Sequence, residues 1–207
     1  MRPIPALLLL AATGLAACAT PDENTLTRAD LRAAEADVAF AESLAFTPIA
    51  DIPVGQATYT GSVSGDVIVN GEDDFSLLGD LVLDIDIAEA GRETGRNNIS
   101  GTIDNLNLFD DGNDGFDDQR LSGDLRVSGR ADSGRIDATA TGLVTAVITD
   151  TLSEQRAAWE LDLNGDFLGS DGSVILGDVS GGTTEDVTND YALRFDGPGD
   201  FFGEAGN

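Results

Sequence analysis

The chain has 207 residues and a formal net charge of −27, with 38 acidic residues against 11 basic ones. Every basic residue is arginine, so the field repels nucleic acid and anionic membrane and favours cationic partners, cations or plain solubility. With no histidine, no lysine and one cysteine, the composition excludes a Cys/His zinc centre, a Ser-His-Asp or Ser-Lys nucleophile and any internal disulfide, and it leaves Tyr59 and Tyr191 as the conventional haem ligands.

In chain order, Arg2 is followed by an apolar run centred on Leu7 to Ala12 and then by Leu15-Ala16-Ala17-Cys18. A short positive end, about ten apolar residues and small residues before a cut make a secretory signal. The run is too short to span a bilayer, which takes about 20 apolar residues. Leu15-Ala16-Ala17-Cys18 resembles the lipobox of bacterial lipoproteins. That resemblance implies that residues 1–17 are removed, that the Cys18 thiol carries a diacylglycerol and that the new amino end is acylated. The membrane partner is then reached through a lipid anchor. Ala19 after the cysteine, where inner-membrane lipoproteins commonly carry Asp, implies sorting to the outer membrane. The alternative is an ordinary signal peptide with an incidental cysteine. Without Arg2, ten arginines face 38 acids and the charge is −28.

Residues 18–26 are polar, carry Pro21 and read as a tether. Residues 27–54 read as a helix and linker. Leu31, Ala34, Val38, Ala41 and Ala45 fall at helical spacing, Thr27 and Asp30 are placed to cap the start, and Pro48 and Pro53 close the region. Such a helix either covers one mouth of the domain that follows or lifts it off the membrane as a spacer.

From residue 55 the apolar period becomes two. Phe75 to Ile87, Leu121 to Val127, Ile136 to Thr141 and Trp159 to Asn164 alternate apolar and polar residues, the pattern of half-buried strands. Eight strands are predicted, over about 56–69, 75–88, 98–109, 120–130, 134–148, 154–168, 173–180 and 188–196. A phase slip between Ile103 and Leu106 predicts a bulge in the third. The turns Asn70-Gly71, Asp132-Ser133-Gly134 and Ser170-Asp171-Gly172 suit tight hairpins. No helical segment separates the strands, so successive strands pair antiparallel. The fold class is all-β: an eight-stranded antiparallel up-and-down β-barrel over 55–207, preceded by a short N-terminal α-helix. A lipid-facing barrel would turn its apolar face outward, and against it stand the separate anchor and the lack of aromatic girdles among nine Phe, one Trp and two Tyr.

Ala57-Thr58-Tyr59-Thr60-Gly61 opens the first strand, and Leu163-Asn164-Gly165-Asp166-Phe167-Leu168-Gly169, Gly172 to Gly181 and Phe201-Phe202-Gly203 follow near the end. This order is similar to the barrel domain of transferrin-binding protein B-like surface lipoproteins, over roughly 55–203. The resemblance implies an eight-stranded barrel that captures a partner, in that family for iron acquisition. The chain has one barrel, no second lobe and mostly short turns, so no binding residue carries over.

The densest polar cluster is Asp110 to Asp118. Hard oxygen ligands on a Gly-bent loop suit Ca²⁺, with Asp110, Asp111, Asn113, Asp114 and Asp117 as candidate ligands. The EF-hand pattern fails, because Gly112 and Leu121 fall at ligand positions three and twelve. The cluster is therefore a calcium loop of another kind or a solvated acidic turn, and no other cofactor is indicated. Trp159, Tyr59 and Tyr191 lie on apolar phases and read as core. The expectation is a noncatalytic envelope binding module that captures a protein or small ligand at a barrel rim. The alternatives are a structural or protective lipoprotein without a ligand, and a glycan-acting enzyme using paired carboxylates.

Overall fold

A computed structural model of the chain describes residues 25–87, 97–112, 118–148, 153–184 and 192–206. The elements are α1 (Arg28–Glu42), a 3₁₀ turn (Ile49–Asp51) and ten strands: β1 (Gly55–Val69), β2 (Glu72–Ile87), β3 (Ile99–Asp110), β4 (Gln119–Arg120), β5 (Leu125–Asp132), β6 (Arg135–Ile148), β7 (Ser153–Leu168), β8 (Val174–Thr183), β9 (Leu193–Phe195) and β10 (Gly199–Ala205). All pairings are antiparallel. Strands β4 and β5 share one place beside β3, and β9 and β10 share one between β8 and β1, so the ten strands close an eight-stranded barrel. Closure pairs the first strand with the last, so among the described residues the sheet has no free outer strand.

The seam is made by β10, which pairs with β1 over Tyr59–Ser64 and with β8 over Val174–Val179. A Cβ at Gly61 would stand 2.1 Å from the Phe202 carbonyl oxygen, so glycine there is what lets the first and last strands meet. Two predicted strands differ from those observed. The fourth, expected over 120–130, is broken at 121–124 between β4 and β5. The last, expected over 188–196, is instead β9 and β10, interrupted by Gly197 at φ 86° and by Pro198, which has no N–H to pair. The bulge in β3 is present. Leu78 pairs with Asn107 and Asp80 with Asp104, so Gly79 faces two residues, and Asn105 takes φ 48°.

Inward positions form the core. Tyr59, Val63 and Val67 of β1, Leu77 to Ile85 of β2 at every second residue, and Trp159, Leu161 and Leu163 of β7 are all buried together with Phe201. Outward positions of β6 and β7 carry Asp137, Thr139, Thr141, Glu160 and Asp162, so the apolar face is the lumen and the polar face the outer wall.

Helix α1 starts with a capping box. Asp30 accepts from the Thr27 amide at 2.7 Å, and the Thr27 hydroxyl accepts from the Ala29 and Asp30 amides. The helix neither covers a mouth nor stands off as a spacer. Its buried stripe lies on the outer wall, with Leu31 and Ala34 against Leu78 and Phe109, and Val38 and Ala41 against Leu168, Val174 and Phe202. These five wall residues are outward-facing yet apolar, because the helix keeps water off them. The mouth that carries the 132–134 and 169–173 turns is covered by the linker instead. Ile52 enters the core, Thr47 accepts its place by donating its amide to the Phe167 carbonyl, and the Gly169 amide donates to the Ala45 carbonyl.

Candidate functional site

The lumen is the first place to look for a ligand, and side chains fill it. Trp159 is 1 % exposed and pairs across the sheet with Gly142, in a wall where Ala138, Ala140, Ala146 and Ala157 also face the core. Tyr59 meets Phe167 edge-on at 6.0 Å, and its hydroxyl donates to the Gly172 carbonyl at 2.7 Å. Burial, helped by the Asp171 carboxylate, pushes the Tyr59 phenol up to about 12, so it stays protonated. The glycine pair Gly165 and Gly177 leaves room for the Phe201 ring, which a Cβ on either would strike at 2.6 Å. The indole N–H of Trp159 has no hydrogen-bond partner among the described residues. Trp159 and Tyr59 are thus core residues, as their phase predicts, and Tyr191 lies outside the described residues.

The acidic stretch after β3 is held by Arg28 at the start of α1. The guanidinium donates to Asp111 at 2.8 Å and forks onto both Asp118 carboxylate oxygens at 2.8 and 3.1 Å. It also donates to the Asp110 carbonyl and lies 5.7 Å over the Phe109 ring. The hydrogen bonds that Arg28 donates to Asp118 and Asp111 raise its pKa further above its already high ordinary value. The charge of Asp111 is therefore met by a guanidinium, a partner that lies 83 residues away in sequence. Among the candidate calcium ligands, Asp110 and Asp111 are described, while Asn113, Asp114 and Asp117 lie outside the described residues, as does Cys18. Among the described residues no group of three or more acidic side chains converges closely enough to hold a metal ion.

Two depressions on the outer surface bring carboxylates together. One, of about 550 Å³, lies where the β4–β5 break meets the bulge of β3 and is lined by Thr102, Asp104, Asn105, Arg120, Gly123 and Asp124. Burial, then Asp80 and Asp124, raises the Asp104 carboxyl above its ordinary range, against an opposing pull from Arg120. The other, of about 310 Å³, is a groove between α1 and the wall, with Glu35 and Glu42 on the helix side and Asp66 and Asp200 on the barrel side. Burial, then Asp178 and Glu42, raises Asp200. These grooves are not visible in the residue pattern, because each joins segments far apart in sequence. The rim linker adds a third feature. Phe46, Ile49 and Val54 are 72 %, 50 % and 64 % exposed, large apolar side chains left in water on the segment that covers the mouth.

The fold and these features define an all-β protein: a closed eight-stranded barrel with a packed lumen, an outer helix and an acidic surface. Comparison of the chain with protein-family models, curated proteins and solved structures finds no match.

Proposed function

We propose that this chain is a lipid-anchored, noncatalytic module of a bacterial outer membrane that captures a cationic protein partner at the covered rim of its barrel. The observation that carries the reading is the trio Phe46, Ile49 and Val54, exposed beside Asp51 on the rim linker. An apolar centre edged by acids suits a partner with an apolar knob and a basic surround. The packed lumen turns the reading away from a small ligand held inside the barrel. Kinship with transferrin-binding protein B-like lipoproteins remains part of the proposal. Among the motif residues that carry it, Gly61 of the opening strand pairs with Gly203 of the last across the seam.

The test has two arms. Cys18→Ser should move the protein from the membrane to the soluble fraction, and continued membrane association removes the anchor. A Phe46→Ser, Ile49→Ser, Val54→Ser variant should fold, judged by circular dichroism, yet lose the proteins that the wild type retains in a native pull-down from iron-limited cells. An unchanged set of retained proteins removes the rim as the capture face. The packed lumen also suits a second reading, a structural envelope lipoprotein without a ligand, for which neither chain retains any partner.

A further inference from the structure

We propose that α1 is a charge-gated strap, closed on the barrel wall by its apolar stripe and pushed open by like charge across the groove beneath it, Glu35 and Glu42 on the helix against Asp66 and Asp200 on the wall. The closing side is thin. Four buried side chains seat the helix, Leu31, Ala34, Val38 and Ala41, and two of them are alanines. The tie from Arg28 to Asp111 and Asp118 at the first turn is open to water and adds little. Beside the stripe runs the groove of about 310 Å³, so helix and wall are not close-packed along that side.

The opening side is a set of like charges. Around Asp200 stand Asp178, its register partner on β8, Asp66 of β1, and Glu35 and Glu42 of α1. No basic side chain lines the groove. Arg28 is engaged with Asp111 and Asp118, and Arg194 of β9 stands level with Ile68, beyond Asp66 and outside the lining. Glu42 also sits in the last helical turn, which carries no basic residue, so it opposes the negative end of the helix dipole. In the closed form burial, then Asp178 and Glu42, raises the Asp200 carboxyl. Opening removes the helix's share of that burial and the Glu42 charge. The closed form therefore binds more protons than the open one, and closure strengthens as pH falls through the window between the raised value and the ordinary one. The pivot is short. The Gly169 amide donates to the Ala45 carbonyl, the Thr47 amide donates to the Phe167 carbonyl, and Ile52 sits in the core, so the linker stays seated while the helix swings about Ser43 and Leu44. Opening bares Leu78, Phe109, Leu168, Val174 and Phe202, an apolar wall that the closed strap hides.

This inference rests on neither the lipid anchor nor capture at the rim. It is tested by amide hydrogen exchange of the full chain, read by NMR from neutrality down toward the ordinary aspartate range, each amide's protection being taken against its unstructured rate at the same pH. Local opening makes the α1 amides at least about tenfold less protected at neutral pH than the paired amides of β1 and β2. Protection in α1 should then rise at least about threefold as pH falls. Asp200→Asn should show the raised protection already at neutral pH and lose its dependence on pH, and Glu42→Gln should raise protection at neutral pH. Both substitutions are nearly isosteric and spare the apolar stripe, so the strand signature in circular dichroism should not change. Asp137→Asn, on the outer face of β6, should keep the wild-type profile. Amides of α1 that exchange only together with the barrel, a pH profile that survives in Asp200→Asn, or one that Asp137→Asn flattens equally, overturns the proposal.

Discussion

At the residue scale, Trp159 is the largest side chain buried in the core. It stands opposite Gly142, and its buried indole N–H has no partner among the described residues. Trp159→Ala should destabilise the fold by about 3–5 kcal/mol, since the small neighbours cannot close the cavity. Trp159→Phe should cost clearly less, because it keeps most of the apolar contact and removes the orphan donor. Chemical denaturation of both variants checks this, and equal losses would show that the indole N–H is in fact bonded. The alternating phase of β7 was enough to place Trp159 inside. Its place opposite Gly142 was not legible, because it depends on the register between β6 and β7.

The helix is the telling case at the scale of elements. Its apolar stripe and its Thr27–Asp30 cap were legible, since both depend on residues within one turn of each other. Its place was not. The wall residues it covers, Leu78, Phe109, Leu168, Val174 and Phe202, come from five strands, and each breaks the alternation by being apolar on an outward position. Along any one strand such a residue looks like an irregularity. Ala41 is fully buried under this contact. Ala41→Asp should therefore undock α1 and cost up to about 3 kcal/mol. The barrel should keep its strand signature in circular dichroism while hydrogen exchange in α1 becomes fast. Retained protection in α1 would show that the contact is not what holds the helix. Arg28, through Asp111 and Asp118, holds the other end. These pairs are substantially exposed, so each contributes less than about 1 kcal/mol.

For the whole molecule, charge decides. Thirty-eight acids against 11 arginines repel one another across a surface of one sign, and screening should help. The melting temperature at neutral pH should rise with added salt. The pH dependence follows from two sets of carboxyls. Asp104 and Asp200 are raised, so the folded chain binds more protons than the unfolded one between the ordinary aspartate value and theirs, and stability grows as pH falls through that window. Asp30 and Asp171 are lowered by hydrogen bonds from Thr27 and Ser173, so their contribution is present above the ordinary value and is lost as pH falls through their lowered ones. Stability should therefore climb as pH falls from neutrality toward the ordinary aspartate range and collapse in stronger acid. A thermal-unfolding series across pH checks the order, and a monotonic fall from neutrality would contradict it.

The residue order alone determined that strands alternate, that hairpin turns join them, that the sheet is a closed meander and that β3 carries a bulge. Each of these is a local matter of which side chain faces which way and which residues accept a turn. The tertiary structure alone decided that two strand places are split, that α1 lies on the outer wall while the linker seals a mouth, and that Arg28 pairs with the acidic loop. It also decided that carboxylates from α1, β1 and β10 share one groove. The physical reason is distance along the chain. A strand's phase is set by its immediate neighbours, whereas a groove exists only once closure has brought residues 35, 66 and 200 to the same place.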